Sequence, residues 1–226
     1  MANREINAAR IRLEQRNASL QADLRRILRE TRAELDREFF EVLNHRRYRA
    51  ALGSADTAEQ ANASRKAAKD EIIPRINKKM ERLNRELDTF YTDSIPDILD
   101  REGNLFARVY TKITPDYLTF EWNTTDADVA ETNRQPVFGT SRQEWTKMAT
   151  DEADGTITRK VKSEMSGQIN EPDAETATQS GMVTRIMGQV NKSFNLLDLR
   201  TRTLLRNMSI NIMNYAEQEN QAWLRK

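Results

Sequence analysis

Apolar residues recur at helical spacing along the first ninety positions, and nearly everything between them is charged or polar. From Ile6 they run through Leu13, Leu20, Leu24, Ile27, Leu35, Phe39 and Val42, and they return as Ile72, Ile73, Ile76, Met80, Leu83, Leu87 and Phe90. Each set traces one narrow stripe on a polar helix, the pattern of a coiled-coil-like seam rather than of a globular core helix. Residues 1–93 are therefore expected to form an elongated antiparallel helical hairpin. Its first helix should run from about Asn3 to Leu52 and end at Gly53, a residue that suits a helix C-cap. The second should start near Ser54–Thr57, with Asp56 or Thr57 as N-cap and Glu59 in the first turn. Pro74 predicts a kink or a fresh helix start after Ile73. The first stripe thins at Asn17 and Thr31, which suggests an N-terminus that leans on a partner chain.

Residues 94–140 read as a connecting region. Ser94-Ile-Pro96-Asp97 has the marks of a helix start, with Ile98, Leu99, Leu105, Phe106 and Val109 to follow and Gly103 as a weak point. Tyr117-Leu-Thr-Phe-Glu-Trp122 reads as a short extended segment pinned by aromatics. Asn123 to Gly139, polar and acidic around Pro136, reads as a long surface loop.

Residues 141–226 read as a C-terminal helical module. Ser141-Arg-Gln-Glu144 matches a capping box, opening a helix that carries Trp145, Met148, Ile157, Val161, Met165 and Ile169, with Asp154-Gly155 as a candidate break. A loop over Asn170 to Gly181 should follow. Met182, Val183, Ile186, Met187 and Val190 then make a short apolar face. Asn195 is the expected cap of a last helix bearing Leu197, Leu204, Leu205, Met208, Ile212, Tyr215 and Trp223. The fold class implied is mostly α, with an extended aromatic segment between hairpin and module.

Composition sharpens this picture. Charged residues are 31% and apolar ones 38% of the 226, as suits helices with much surface per residue. The formal charge of +1 hides an asymmetry: residues 1–50 carry 12 Lys and Arg against 8 Asp and Glu, whereas 118–180 carry 6 against 12. With no overall positive field, general nucleic-acid binding is disfavoured, although a local phosphate contact is not. The absence of cysteine excludes disulfides, thiolate metal sites and a cysteine nucleophile. No run approaches eighteen apolar residues and the N-terminus is charged, so neither a membrane span nor a secretory signal is read.

Candidate chemistry is sparse. His45 is the single histidine and stands in His45-Arg-Arg-Tyr-Arg49. Clustered guanidiniums bind phosphate oxygens, so Arg46, Arg47 and Arg49 are candidate DNA contacts; the plainer reading is that they solvate a helix end. The acidic runs 124–131 and 151–154 lack the alternating ligand spacing of a calcium loop, and no glycine-rich phosphate cradle is present. No catalytic, cofactor or metal residues are assigned, and the chain is read as a non-enzyme. Four of the eight methionines fall between Met182 and Met213, where plastic packing between helices is the plain account and a partner surface the sharper one. The candidate docking set is Met182, Ile186, Leu205, Met208, Ile212, Tyr215 and Trp223.

One resemblance emerges over residues 138–220. Ile157 to Ile169, then a break, then Ser180-Gly-Met-Val-Thr-Arg-Ile-Met-Gly-Gln-Val190, then Thr203-Leu-Leu-Arg206 leading into Asn211-Ile-Met-Asn-Tyr-Ala216 resembles the head-morphogenesis module of tailed phages, the Mu F-like minor head proteins. Leu205-Arg206-Asn207 stands where that family has an apolar-Arg-Thr step. The resemblance implies a structural minor head protein of the virion, present in the host cytoplasm during assembly. Its implied partners are the portal or other capsid proteins, with DNA and further copies of itself as additional candidates. Two alternatives stay open: an internal ejection protein that meets a membrane, and a cytosolic coiled-coil adaptor.

Overall fold

A computed structural model describes residues 2–44, 58–113, 121–166 and 179–224, and these form five α-helices. They are α1 (Ala2–Asn44), α2 (Ala58–Ile113), α3 (Asp126–Arg134), α4 (Arg142–Met165) and α5 (Gln179–Leu224). Among the described residues there is no strand, only an isolated antiparallel bridge between Val137 and Thr140. The fold is all-α as far as it is described. The expected caps and turn at Gly53–Thr57, and residues 117–120 of the aromatic segment, lie outside the described residues; Glu121–Thr125 carry no regular structure.

Two compact units draw on the same helices. The first, here the aromatic unit, comprises Met1–Arg25, Glu86–Thr146 and Arg200–Lys226; the second, the seam unit, comprises Arg26–Arg85 and Lys147–Leu199. The division anticipated after residues 93 and 140 is not followed, because residue 93 lies inside α2 and its apolar stripe continues past it.

Four expected helix boundaries are absent, and each for a physical reason. Pro74 and Pro96 both lie inside an unbroken α2. An interior proline costs about 3 kcal/mol through its lost hydrogen bond and ring clash. Both prolines occupy the exposed face, where the released carbonyls meet water, while Ile72, Ile76, Ile95, Ile98 and Leu99 stay buried. Packing of the buried stripe outweighs the local penalty. Asp154-Gly155 likewise leaves α4 whole, and Asn195 caps nothing because α5 is one helix of 46 residues. Along α5 the buried positions Met182, Ile186, Val190, Phe194, Leu197 and Thr201 continue at steps of three and four across the expected break.

Residues 123–139 are a correction in the other direction. Thr125 caps α3 with a full capping box: its hydroxyl accepts from the Asp128 amide at 3.2 Å, and the Asp128 carboxylate accepts from the Thr125 amide at 2.8 Å. An aspartate three residues after the cap does the work usually given to glutamate. The capping box at Ser141 is present as expected, with Glu144 N–H to Ser141 Oγ and Ser141 N–H to Glu144 Oε2 both 3.2 Å.

In the seam unit, α1 and α2 run in opposite directions: Glu38 pairs with Arg75 at 2.6 Å and Glu34 with Lys79 at 2.8 Å. Leu28, Leu35, Phe39 and Val42 of α1, with Ile72, Ile76, Met80 and Leu83 of α2, are buried. The α4 contribution is small side chains, Ala149, Thr150 and Ala153, followed by Ile157 and Val161. Polar bonds flank this seam. Thr150 donates to Asn84 Oδ1 at 3.3 Å, and the Asn77 amide, oriented with its NH2 toward α4, donates to Asp154 Oδ1 at 3.1 Å.

Candidate functional site

In the aromatic unit the polar residues do less repetitive work. Asn17, one of the two positions at which the first stripe thins, is buried and accepts from Ser209 Oγ of α5 at 3.2 Å. The thinning is thus met inside the chain: a polar residue on the seam finds a polar partner. Thr31, the other thin point, is buried as well. Tyr91 is fully buried and donates to the Thr201 carbonyl at 2.9 Å, and burial raises its phenol well above the usual range. Phe106, Ala107, Tyr110, Met213 and Ala216 form a small cluster against which Trp122 packs. Gly103 makes that packing possible. A Cβ there would lie 2.1 Å from the indole ring. The expected weak point of the helix is a seat for an aromatic.

Around residues 132–142 the chain builds a turn and a pocket. Val137 and Thr140 exchange hydrogen bonds of 2.8 and 3.2 Å, closing a two-residue turn at Phe138-Gly139. Both central residues have positive φ, 53° and 79°, as in the hairpin turns that favour Asn-Gly. Phe138 is 56% exposed and its ring lies 5.9 Å from that of Trp145. Asn211 of α5 donates to the Pro136 carbonyl at 3.5 Å, holding the segment from behind.

Arg142 opens α4 beside this turn, with its side chain only 8% exposed. Its Nη2 donates to Asp88 Oδ1 at 3.2 Å and to Thr92 Oγ1 at 3.0 Å. Burial lowers the guanidinium pKa, and the Asp88 charge opposes that shift. Nε and Nη1 are buried without a hydrogen-bond partner. Arg142 lines a small pocket with Thr132, Asn133, Gln135 and Asn211, over an apolar base of Ile95, Val137 and Met208. Nearby, Tyr215 donates to Asp128 Oδ1 at 2.7 Å. Burial pushes Asp128 up, but bonds from Thr125 and Tyr215 overcome this and hold its carboxyl below the usual carboxylate value.

The sequence-derived docking set fares unevenly. Met182 and Ile186 in the seam unit, and Leu205, Met208 and Ile212 in the aromatic unit, are all 4% exposed or less. They are core residues, because the stripe they form is covered by the chain's own helices. Tyr215 is half-buried and committed to Asp128. Trp223 alone of the set is open, at 50% exposure. Arg46, Arg47, Arg49 and His45 lie outside the described residues. Sequence reasoning missed Phe138 and Arg142: the first is signalled only by a glycine after an aromatic, the second by nothing local.

Among the described residues no group of three or more His, Cys, Asp or Glu is placed to hold a metal ion. No described helix is long and apolar enough to cross a membrane. No family model, curated protein or solved structure matches the chain.

Proposed function

We propose that the protein is a structural minor head protein of a tailed phage, docking at the portal or inner capsid and contacting packaged DNA during head assembly or genome delivery. On this reading it acts by association, in the virion and in the host cytoplasm during assembly. The paired α1 and α2, joined as a coiled-coil-like hairpin, serve as a spacer. Arg46, Arg47 and Arg49 supply the DNA contact, and exposed aromatics of the C-terminal third supply the docking contact.

Phe138 is the observation that carries the reading. A bulky residue in the left-handed region costs about 1–2 kcal/mol relative to glycine, and asparagine or glycine would fill this turn at lower cost. The chain instead holds a phenyl ring there, 56% exposed and against Trp145. Backbone strain kept at an exposed aromatic points outward, to something the ring meets. Phe138 begins the stretch that resembles the head-morphogenesis module, and Trp223 is a second exposed aromatic just beyond its end.

Mass spectrometry of purified heads of the encoding phage tests this. The protein is expected in wild-type particles. Aromatic anchors at an interface contribute about 2 kcal/mol or more, so Phe138→Asn and Trp223→Asp together should cut incorporation by more than about tenfold. Their thermal melts in isolation should stay close to wild type. Absence from wild-type heads, or unchanged copy number in the double variant, would sink the proposal.

A further inference from the structure

We propose that the pocket beside Arg142 is a binding site for a single carboxylate group. The inference rests on the pocket alone and stands whether or not the protein belongs to a phage head. Three features of the site converge on that chemistry.

The first is unfilled donor capacity. Arg142 is more than nine-tenths buried, yet Nε and Nη1 have no acceptor within the protein. A buried donor left unmade costs about 1–3 kcal/mol, and more when it is charged. Native folds seldom retain such a group without an acceptor supplied from outside. The one charge that faces the guanidinium, Asp88, is held through Nη2, and Asp88 also accepts from Gln143 Nε2 at 3.3 Å. Its carboxylate is therefore already engaged on another edge.

The second feature is the rim. Asn133, Gln135 and Asn211 are half-buried and bring amide groups to the mouth, and Thr132 adds a hydroxyl. No acidic residue lines the pocket, so nothing there repels an incoming anion, while side-chain amides offer N–H donors to its second oxygen.

The third feature is size. The free space is about 10 Å³, close to the room needed for one water-sized atom group. One oxygen enters; the rest of its molecule stays at the mouth. A planar carboxylate fits that demand, with one oxygen inside and one at the amide rim. A tetrahedral phosphate does not, because its oxygens spread in three dimensions. Charge-assisted hydrogen bonds to a carboxylate would fill the donors that the fold leaves open. The carboxylate belongs either to a small free acid or to an acidic side chain of another polypeptide.

The full chain, labelled with 15N-arginine, gives a direct reading through the Arg142 Nε–H resonance. Chloride is replaced at constant ionic strength by formate, acetate or phosphate, and in separate arms by N-acetyl-glutamate amide or its glutamine counterpart. Formate and acetate should give saturable shifts at least about tenfold tighter than phosphate. The glutamate amide binding tighter than acetate assigns the site to a polypeptide acid; the reverse assigns it to a small free acid. The glutamine counterpart should be silent. Asn133→Leu, which closes the rim, should abolish the saturable shift while Arg142 stays folded against Asp88; Gln135→Leu takes its place if that variant does not fold. An unsaturating response shared by all anions would mean that water alone fills the pocket, and phosphate binding as tightly as acetate would remove the size argument. Either result overturns the proposal, as does an unchanged response in the rim variant.

Discussion

Gly155 and Gly103 both lie inside long helices, yet their surroundings differ as the two units differ. Nothing stands within 4 Å of a Cβ placed on Gly155 in the seam unit, whereas one placed on Gly103 in the aromatic unit would run into Trp122. The seam unit repeats itself: apolar layers at steps of three and four, with Arg75, Lys79 and Arg82 of α2 reaching Glu34 and Glu38 of α1 along one edge. Any one layer resembles the next. The aromatic unit holds contacts that occur once each, such as Tyr91 on the Thr201 carbonyl, Asn17 on Ser209 and Trp122 on Gly103. Repetition gives a helix pair its register and direction; singular contacts create the turns and pockets where a ligand or partner can be met.

The largest expected effects come from the apolar interior, and they differ in kind between the units. Met208→Asp places a carboxylate at a position 4% exposed, with no cation among the residues that share its pocket other than the already paired Arg142. Burying such a charge should cost about 4 kcal/mol or more, unfolding the aromatic unit in a circular-dichroism melt. A folded Met208→Asp protein would mean that this face is a surface after all. In the seam unit, Leu83→Ala removes a fully buried side chain and should cost about 2–5 kcal/mol. Hydrogen exchange should show the loss concentrated in the seam unit. Equal loss of protection in both units would show that they do not open separately.

The two glycines give the next contrast, and here the signs are opposite. Gly155→Ala gains helix propensity in open space and should stabilise by about 0.5–1 kcal/mol. Gly103→Ala must displace the indole and should cost about 1–3 kcal/mol. Tryptophan emission should report that displacement, and in a Trp122→Ala background the same substitution should become neutral or stabilising. If Gly103→Ala stabilises the wild-type chain, the seat for Trp122 is not formed.

That contrast also explains what was legible in the sequence. Leu24, Leu35, Phe39, Ile76, Met80 and Leu83 were readable as one stripe because a helical period survives any single misreading, and all six are buried. The helix type of α4 and its start at Ser141 followed from spacing and cap chemistry. The boundaries drawn at Pro74, Ser94, Gly155 and Asn195 failed because local breaker signals were weighed against nothing, while burial on the opposite face decided the outcome. The docking set failed for a related reason. A narrow apolar stripe does not say whether its cover is another chain or another part of the same one, and residues 58–113 supply much of the cover. Arg142 was beyond reach because its burial depends on Asp88 and Thr92, about fifty positions away.

The smallest effects separate the units by the nature of their carboxylate contacts. Glu34 in the seam unit is held below its ordinary value of 4.5, chiefly by the hydrogen bond from Lys79, with partial burial opposing and the Lys79 and Arg82 charges adding. Asp128 in the aromatic unit is lowered from 3.8 against the pull of burial, through bonds from Thr125 and Tyr215. In both cases the folded carboxyl binds its proton more weakly than the unfolded one. The stabilisation is therefore complete above the ordinary value and is lost as pH falls through the folded one. Tyr215→Phe should cost about 1 kcal/mol at neutral pH, and Lys79→Ala about 0.2–1 kcal/mol because its pair is partly exposed. Acid should shrink both differences, so pH does not distinguish them. Salt does: screening near 1 M reaches down to about 3 Å, and should erase much of the Lys79 effect while leaving that of the uncharged Tyr215 hydroxyl. Thermal melts of both variants and wild type across a chloride series would read the difference, and a Tyr215→Phe effect as salt-sensitive as that of Lys79→Ala would undo the distinction between a charge pair and a buried hydroxyl bond.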